Sequence, residues 1–426
     1  MKRVPIQRRR QRGVASLVVV MVLFFIVSLV AAYASRNLIF EQRTSANQYR
    51  STQAIEAAEA GVEWALAMLN HGRITDACAT STVDTNPNFR QRYLNIDTDT
   101  GNITVRKTST NTDLLPSCVF DGTNRACSCP TDGSPVLSAP TGNGVYPAFR
   151  VRFVTLTGSA IQPGLVRIEA IACTRLADDC LNFLNTVGAA PGLGNEGRAY
   201  ASVLVGLTGG AVSPPAATLT ALGNVTLAGG AIYGDVPVQY GGTTVSIDPS
   251  LTLSRAAGTP GSAVPVQSSA LHDLGTSRTF AAVFNMWSDT YRAQPGAVVL
   301  NCSVVTCNAS AVRDAVRFNP GRPLWVNGDL SIDSAGDIGS AATPVLIVVT
   351  GQLNTSVTTA TIHGLVYVQT ASWLDTGTAR VQGAVVVEGD VATGSPVLAY
   401  DTAVLNVLHL TNGSFVRVPG SWRDFP

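Results

Sequence analysis

The sequence predicts an α+β chain: a long N-terminal helix, transmembrane at first and amphipathic later, packed on an antiparallel sheet and followed by a β-rich distal domain. Three observations predict it. Val14 to Ala34 is a run of 21 residues without a charge. Neither Gly nor Pro interrupts the chain from there until Gly61. Beyond residue 100 or so, apolar residues recur every second position, the period of a strand.

The chain of 426 residues allows two or three domains. Charged residues make up 13%, against roughly a quarter in an average soluble domain. The net charge of +1 hides an asymmetry. Lys2, Arg3, Arg8, Arg9, Arg10 and Arg12 precede the apolar run with no acid among them, so the rest of the chain is acidic. An acidic body holding one lysine, Lys107, and no basic stripe excludes nucleic acid as a partner.

At 1.5 Å per residue, Val14 to Ala34 spans ~30 Å, the thickness of a bilayer core. The basic cluster before it holds the N-terminus in the cytoplasm and sends the body outward. Ala32-Tyr33-Ala34 offers a signal-peptidase site, but the apolar run exceeds the 7 to 15 residues usual in such signals. The helix also continues past it. Leu38, Ile39, Ala46, Tyr49, Ala54, Ile55, Ala58, Val62, Ala65, Leu66 and Leu69 recur at helical spacing. Glu41, Arg43, Arg50, Glu56, Glu59 and Glu63 mostly fall between them. The pattern predicts one helix over 14–71, about 80 Å long, with Gly72 as its C-cap. A cut at Ala34 would halve that helix, and a plain single-span anchor leaves the amphipathic half unexplained.

A basic leader ending in Gly, an apolar run and an amphipathic helix form one layout. In "RQRGVASLVVVMVLFFIVSLV" and "YRSTQAIEAAEAGVEWALAMLN" the chain resembles the PilX-type minor pilins of type IV pili. The resemblance covers residues 8 to 70. It implies that a prepilin peptidase removes the leader, 1–13, by cutting between Gly13 and Val14, and that the new N-terminus is methylated. It implies an inner-membrane anchor at 14–34 that later packs in the filament core. Implied partners are other minor pilins, the major pilin, a tip adhesin and the inner-membrane assembly platform, in the service of adhesion and twitching motility. Pilins of this kind carry no cofactor. There is one departure: the fifth mature position, Glu in major pilins, is Val18 here. An unpaired carboxylate in an apolar bundle is costly, and a subunit at the tip needs none. Val18 therefore points to an initiating subunit. Tip pseudopilins of type II secretion lack this Glu too, which makes such a pseudopilin the alternative.

Ile103–Lys107, Phe149–Val154, Leu165–Ile171 and Ala201–Leu207 read as strands, the middle two as a hairpin. They assign 72–207 to a pilin-like sheet that receives the helix. Residues 208–220 read as an entry to the distal domain, 208–426. There "GNVTLAGGAIYGDV", "PLWVNGDLSI", "ATIHGLVYV" and "ARVQGAVVVEGDV" repeat short strands bounded by Gly, and Gly364 and Gly383 stand 19 residues apart. Stacked β-solenoid coils or a sandwich both fit. One helix, near 279–292, aligns Phe280, Val283, Phe284, Trp287 and Tyr291 on a core-facing stripe. Trp422 and Phe425 are expected to dock onto the domain.

All eight cysteines, Cys78, Cys118, Cys127, Cys129, Cys173, Cys180, Cys302 and Cys307, follow the apolar run. An even set beyond a membrane reads as disulfides. Cys173/Cys180 and Cys302/Cys307 are plausible local pairs, and the connectivity stays open. Catalytic patterns are absent: there is no G-x-S-x-G, Walker loop or H-E-x-x-H, and His272-Asp273 has no marked serine. Glu388 and Asp390 are the nearest thing to the carboxylate cluster of a solenoid glycan-cleaving enzyme. Asn95, Asp97 and Asp99 alternate like the start of a calcium loop, but Thr100 and Arg106 stand where such a loop needs Gly and Glu. A hairpin turn explains the same residues. The repeated pairs Gly234-Asp235, Gly328-Asp329 and Gly389-Asp390 read as turns between coils.

Overall fold

The computed structural model describes residues 13–141, 144–158, 162–183, 196–255, 263–356, 359–369, 372–375 and 380–425. Helix α1 runs Gly13–Leu69, 57 residues, or ~85 Å. From Ser16 to Tyr49 every side chain is exposed. From Ala54 onward a stripe of Ala54, Ala57, Ala58, Val62, Ala65 and Leu69 is buried, with Trp64 and Met68 beside it. The spacing of three and four places them on one face. Small residues let the sheet approach closely: a Cβ on Gly61 would stand 3.0 Å from the Phe149 ring and 3.2 Å from Ala170. The amphipathic stripe is therefore used only in its second half. Leu38, Ile39, Tyr49 and Ile55 are left exposed, at 48 to 60%.

The helix stops two residues before the predicted end. Asn70 closes it, its amide donating to Leu66 O and Phe415 O while its Oδ1 accepts from the Phe415 N–H. Gly72 is no cap. A Cβ there would lie 2.7 Å from Phe318 O, so Gly72 serves the close approach of the distal domain.

The sheet under α1 is antiparallel throughout, in the order 414–417, 198–208, 165–173, 148–154, 117–120, 125–128. The predicted hairpin is present, with Arg152 opposite Glu169. Alternation sends Phe149, Val151, Phe153, Ile168 and Ala170 to the helix. The strand Ser414–Arg417 comes from the far end of the sequence, so the chain leaves this sheet at Thr208 and returns to it 206 residues later.

Between those points every strand pair is parallel, which makes a β-solenoid and excludes the sandwich. Strands stack in three columns. The first holds 324–328, 345–349, 364–368 and 383–387, the second 330–332, 353–355, 373–375 and 391–393, the third 361–363, 380–382 and 397–399. Gly364 pairs with Gly383 at the corner between columns. The coils are not stacked in sequence order. Leu219–Ala221 pairs with Val385–Val387, and Val225–Leu227 with Val391–Thr393. The first coil in sequence thus rests on the last. Leu, Ile and Val fill the interior with Trp373, whose indole N–H donates to Thr355 Oγ1 at 3.3 Å.

The outer face of the first column is buried as well, under Phe280, Phe284, Tyr291, Leu405 and Leu408. The predicted helix near 279–292 is two helices, Thr276–Phe284 and Ser288–Arg292, separated by Asn285 in the left-handed region. The break turns Trp287 outward, 58% exposed, while the other four stripe residues are buried. Trp422 and Phe425 do not dock as expected, at 46% and 60% exposed. Backbone holds the tail instead: the Arg423 N–H donates to Ser202 O, and the Ser202 N–H to Arg423 O.

Candidate functional site

The feature that stands out is the free half of α1. It is long and apolar enough to cross a membrane, with a mean hydropathy of 2.9 over its best 18-residue window. Gly13 is its first described residue, and of the leader expected at 1–13, residues 1–12 lie outside the described residues. Three of its hydroxyls are satisfied within the helix. The hydroxyls of Ser28, Ser35 and Thr44 donate to Phe24 O, Ala32 O and Phe40 O at 2.8 to 3.0 Å, as apolar surroundings require. Val18 is 53% exposed and leaves the face apolar where a carboxylate would interrupt it. Leu38, Ile39, Phe40 and Tyr49 extend the uncovered surface past Ala34.

The buried half fixes the body behind this helix. Arg417, on the returning strand, pairs with Glu63 of α1. Trp64 meets Phe89 edge-on at 5.5 Å and Phe149 at 5.4 Å. Sequence reasoning missed Trp64, although it lies on the same helical face.

All eight cysteines pair: Cys78–Cys129, Cys118–Cys127, Cys173–Cys180 and Cys302–Cys307. Both local pairs anticipated from spacing are among them. The widest closes a 51-residue separation and the narrowest a 5-residue one. By loop-closure entropy the first is worth about 4 kcal/mol and the last about 2. Replacing both Cys78 and Cys129 by Ser should therefore lower stability roughly twice as much as the Cys302/Cys307 double variant, measured by denaturant unfolding.

The acidic stretch 95–101 is the turn of the hairpin 94–96/103–105. Asp97 Oδ1 accepts from the N–H groups of Asp99 and Thr100 and from the Thr100 hydroxyl. These bonds, the Thr100 hydroxyl foremost, hold the Asp97 carboxyl below its usual range. A lowered carboxyl pKa stabilises above the unfolded value and is lost as pH falls through the folded one. Below about pH 4 the Thr100 amide should progressively lose hydrogen-exchange protection. Unchanged protection down to pH 2 would contradict the turn. Among the described residues no group of three or more His, Cys, Asp or Glu side chains is placed to hold a metal.

The other chemical candidates have structural partners or none. Glu388 is buried and accepts from the Tyr367 hydroxyl at 2.6 Å; burial first, and Glu388 second, push that phenol's pKa up. Asp390 accepts from the Asn224 N–H, and Asp329 from the Gln352 N–H, each on the next coil. Two of the Gly-Asp pairs are thus stitched turns between stacked coils. His272 and Asp273 sit on an exposed six-residue helix. His409 Nδ1 lies 2.8 Å from Ala211 O.

The described chain thus combines a membrane-length helix, free for half its length, with an antiparallel sheet on which the rest of the helix packs. Residues 12–63 match the PilX N-terminal family, so the chain carries a PilX-type N-terminal segment. Among solved structures, the competence-associated pilin ComZ from Thermus thermophilus aligns over 88% of this chain and 97% of its own, at 11% identity. Its TM-score of 0.22 is too low to carry any argument. No curated protein matches the chain.

Proposed function

We propose that the protein is a non-enzymatic minor pilin of a type IV pilus. A prepilin peptidase cuts between Gly13 and Val14, and the retained helix anchors the subunit in the inner membrane through 14–34. The subunit then joins other minor pilins in a tip complex that primes assembly on the inner-membrane platform, ahead of the major pilin. The solenoid is carried outward at the cell surface, where it serves adhesion, beside or in place of a separate tip adhesin.

One observation carries this reading: beyond the ~30 Å a bilayer covers, α1 still exposes the apolar side chains Leu38, Ile39, Phe40 and Tyr49, set among charged residues such as Arg36, Glu41 and Arg43. A simple anchor needs the first part only. Packing against other helices gives the remainder a partner. Val18 favours the tip, since no carboxylate at that position calls for a neighbour's amine. A host strain lacking the gene should lose surface pili, and the full chain should restore them. A version starting at residue 35 behind a cleaved secretion signal should not. Restoration by that truncated form would overturn the proposal.

A further inference from the structure

Arg90 stands at the meeting point of three parts of the molecule. It lies in the short helix Phe89–Tyr93, which Asn88 and Gln91 cap reciprocally. Its Nε donates to Leu69 O at 2.9 Å, at the end of α1. Its Nη1 donates to Gly321 O at 3.0 Å, in the turn before the solenoid strand 324–332, and its Nη2 to Gly413 O at 3.1 Å, where the last strand begins. The guanidinium is 5.1 Å from the Phe415 ring centroid. The residue is 3% exposed.

Three carbonyls take three of the five N–H groups a guanidinium carries. The other two have no partner among the described residues. No carboxylate does for this charge what Asp76 does for Arg92. Arg322 is the other charged group that bears on Arg90, and it repels. Burial first, and Arg322 second, pull Arg90 down to about 9. Burial alone pulls Arg322 down to about 10. Neither makes an ion pair among the described residues, nor does Arg106. A buried cation without a counter-charge is costly by several kcal/mol.

A cavity of about 190 Å³ opens beside this charge. Arg90, Arg106, Gln91, Asn95, Thr343 and Thr411 are among its lining residues. Arg106 anchors its Nε on Leu94 O at 3.1 Å and leaves its two terminal nitrogens without a partner among the described residues. Two guanidinium groups with unspent donors line one small cavity, and no acid is paired with either.

We propose that this junction cavity binds a small oxyanion, a carboxylate or phosphate group, held between Arg90 and Arg106. Planar N–H pairs match the two oxygens of such a group. The anion supplies the missing counter-charge and ties the pilin sheet, the solenoid and the C-terminal strand together more firmly. It comes either from solution or from an acidic side chain of a neighbouring subunit. The inference does not depend on the pilus reading.

Calorimetric titration of the full chain in detergent tests it, with inorganic phosphate and N-acetylglutamate N-methylamide as probes against chloride at matched ionic strength. One saturable site is expected. Arg106→Ala, at an exposed residue whose loss leaves the core intact, should weaken it about tenfold or more, and Arg106→Lys should restore part. Binding of phosphate alone assigns a free ion. Binding of the capped glutamate as well admits a neighbour's carboxylate. Binding of neither probe, or equal binding by Arg106→Ala, would overturn the proposal.

Discussion

Gly364→Ala and Gly383→Ala are expected to have the largest effects of any single methyl group added to this protein. The two glycines have φ of 144° and 142°, which side chains rarely tolerate. Each also sits under a backbone oxygen of the coil below. An added Cβ would fall 1.9 Å from Val345 O at Gly364 and 1.9 Å from Gly364 O at Gly383. A carbonyl locked in a parallel ladder cannot rotate away, so the strain of the dihedral and the overlap act together. A loss of at least about 4 kcal/mol follows, in the range reserved for named core defects. Denaturant unfolding of the full chain in detergent measures it. An unchanged midpoint for either variant would mean the corner is not built this way.

Arg90→Ala is expected to come second, at about 2 to 3 kcal/mol, because relief of the unpaired buried charge offsets part of the loss. It removes three charge-assisted hydrogen bonds and leaves the carbonyls of Leu69 and Gly413 short of a partner, while Gly321 O keeps the Gly413 N–H. Because those carbonyls belong to three different parts of the fold, the loss should appear as uncoupling as well as destabilisation. Limited proteolysis should then cut near the 318–321 crossing before either body unfolds. One unfolding transition with native protease resistance would contradict the central role given to Arg90.

The parts of this fold legible in the sequence were those with local signals. The charge-free run and the absence of Gly and Pro marked α1. Period-two alternation marked the 148–154/165–173 hairpin. The 19-residue spacing of Gly364 and Gly383 fitted coils, in which a shared corner needs the same residue in each turn, but the short strands fitted a sandwich equally. The illegible parts depend on partners far away. Ser414–Arg417 is four residues long, and nothing within it says that it will pair with 205–208. The order of coils was hidden for the same reason: Leu219–Ala221 could stack on any apolar coil, and the fold returns the last coil to it. Trp287 misled because a helical stripe was assumed to continue through Asn285, which adopts the left-handed conformation. Arg90 gave no signal, because its burial comes from carbonyls at 69, 321 and 413 that are distant in the sequence.

For the proposed role, the legible and illegible parts divide along α1. The charge-free run 14–34 could be read residue by residue, since its lack of charge survives without a partner. Where its surface changes from uncovered to buried, between Tyr49 and Ala54, depended on the sheet and had no marker in the helix itself.

The central claim is that the apolar helix is kept and begins at Val14. The most direct test is the mature N-terminus, read by mass spectrometry of protein from the native host with and without its prepilin peptidase. A methylated terminus at Val14 that disappears with the peptidase is the result predicted here. A terminus at Ser35 would contradict it, since the helix proposed to carry the subunit into the filament would then have been cut away.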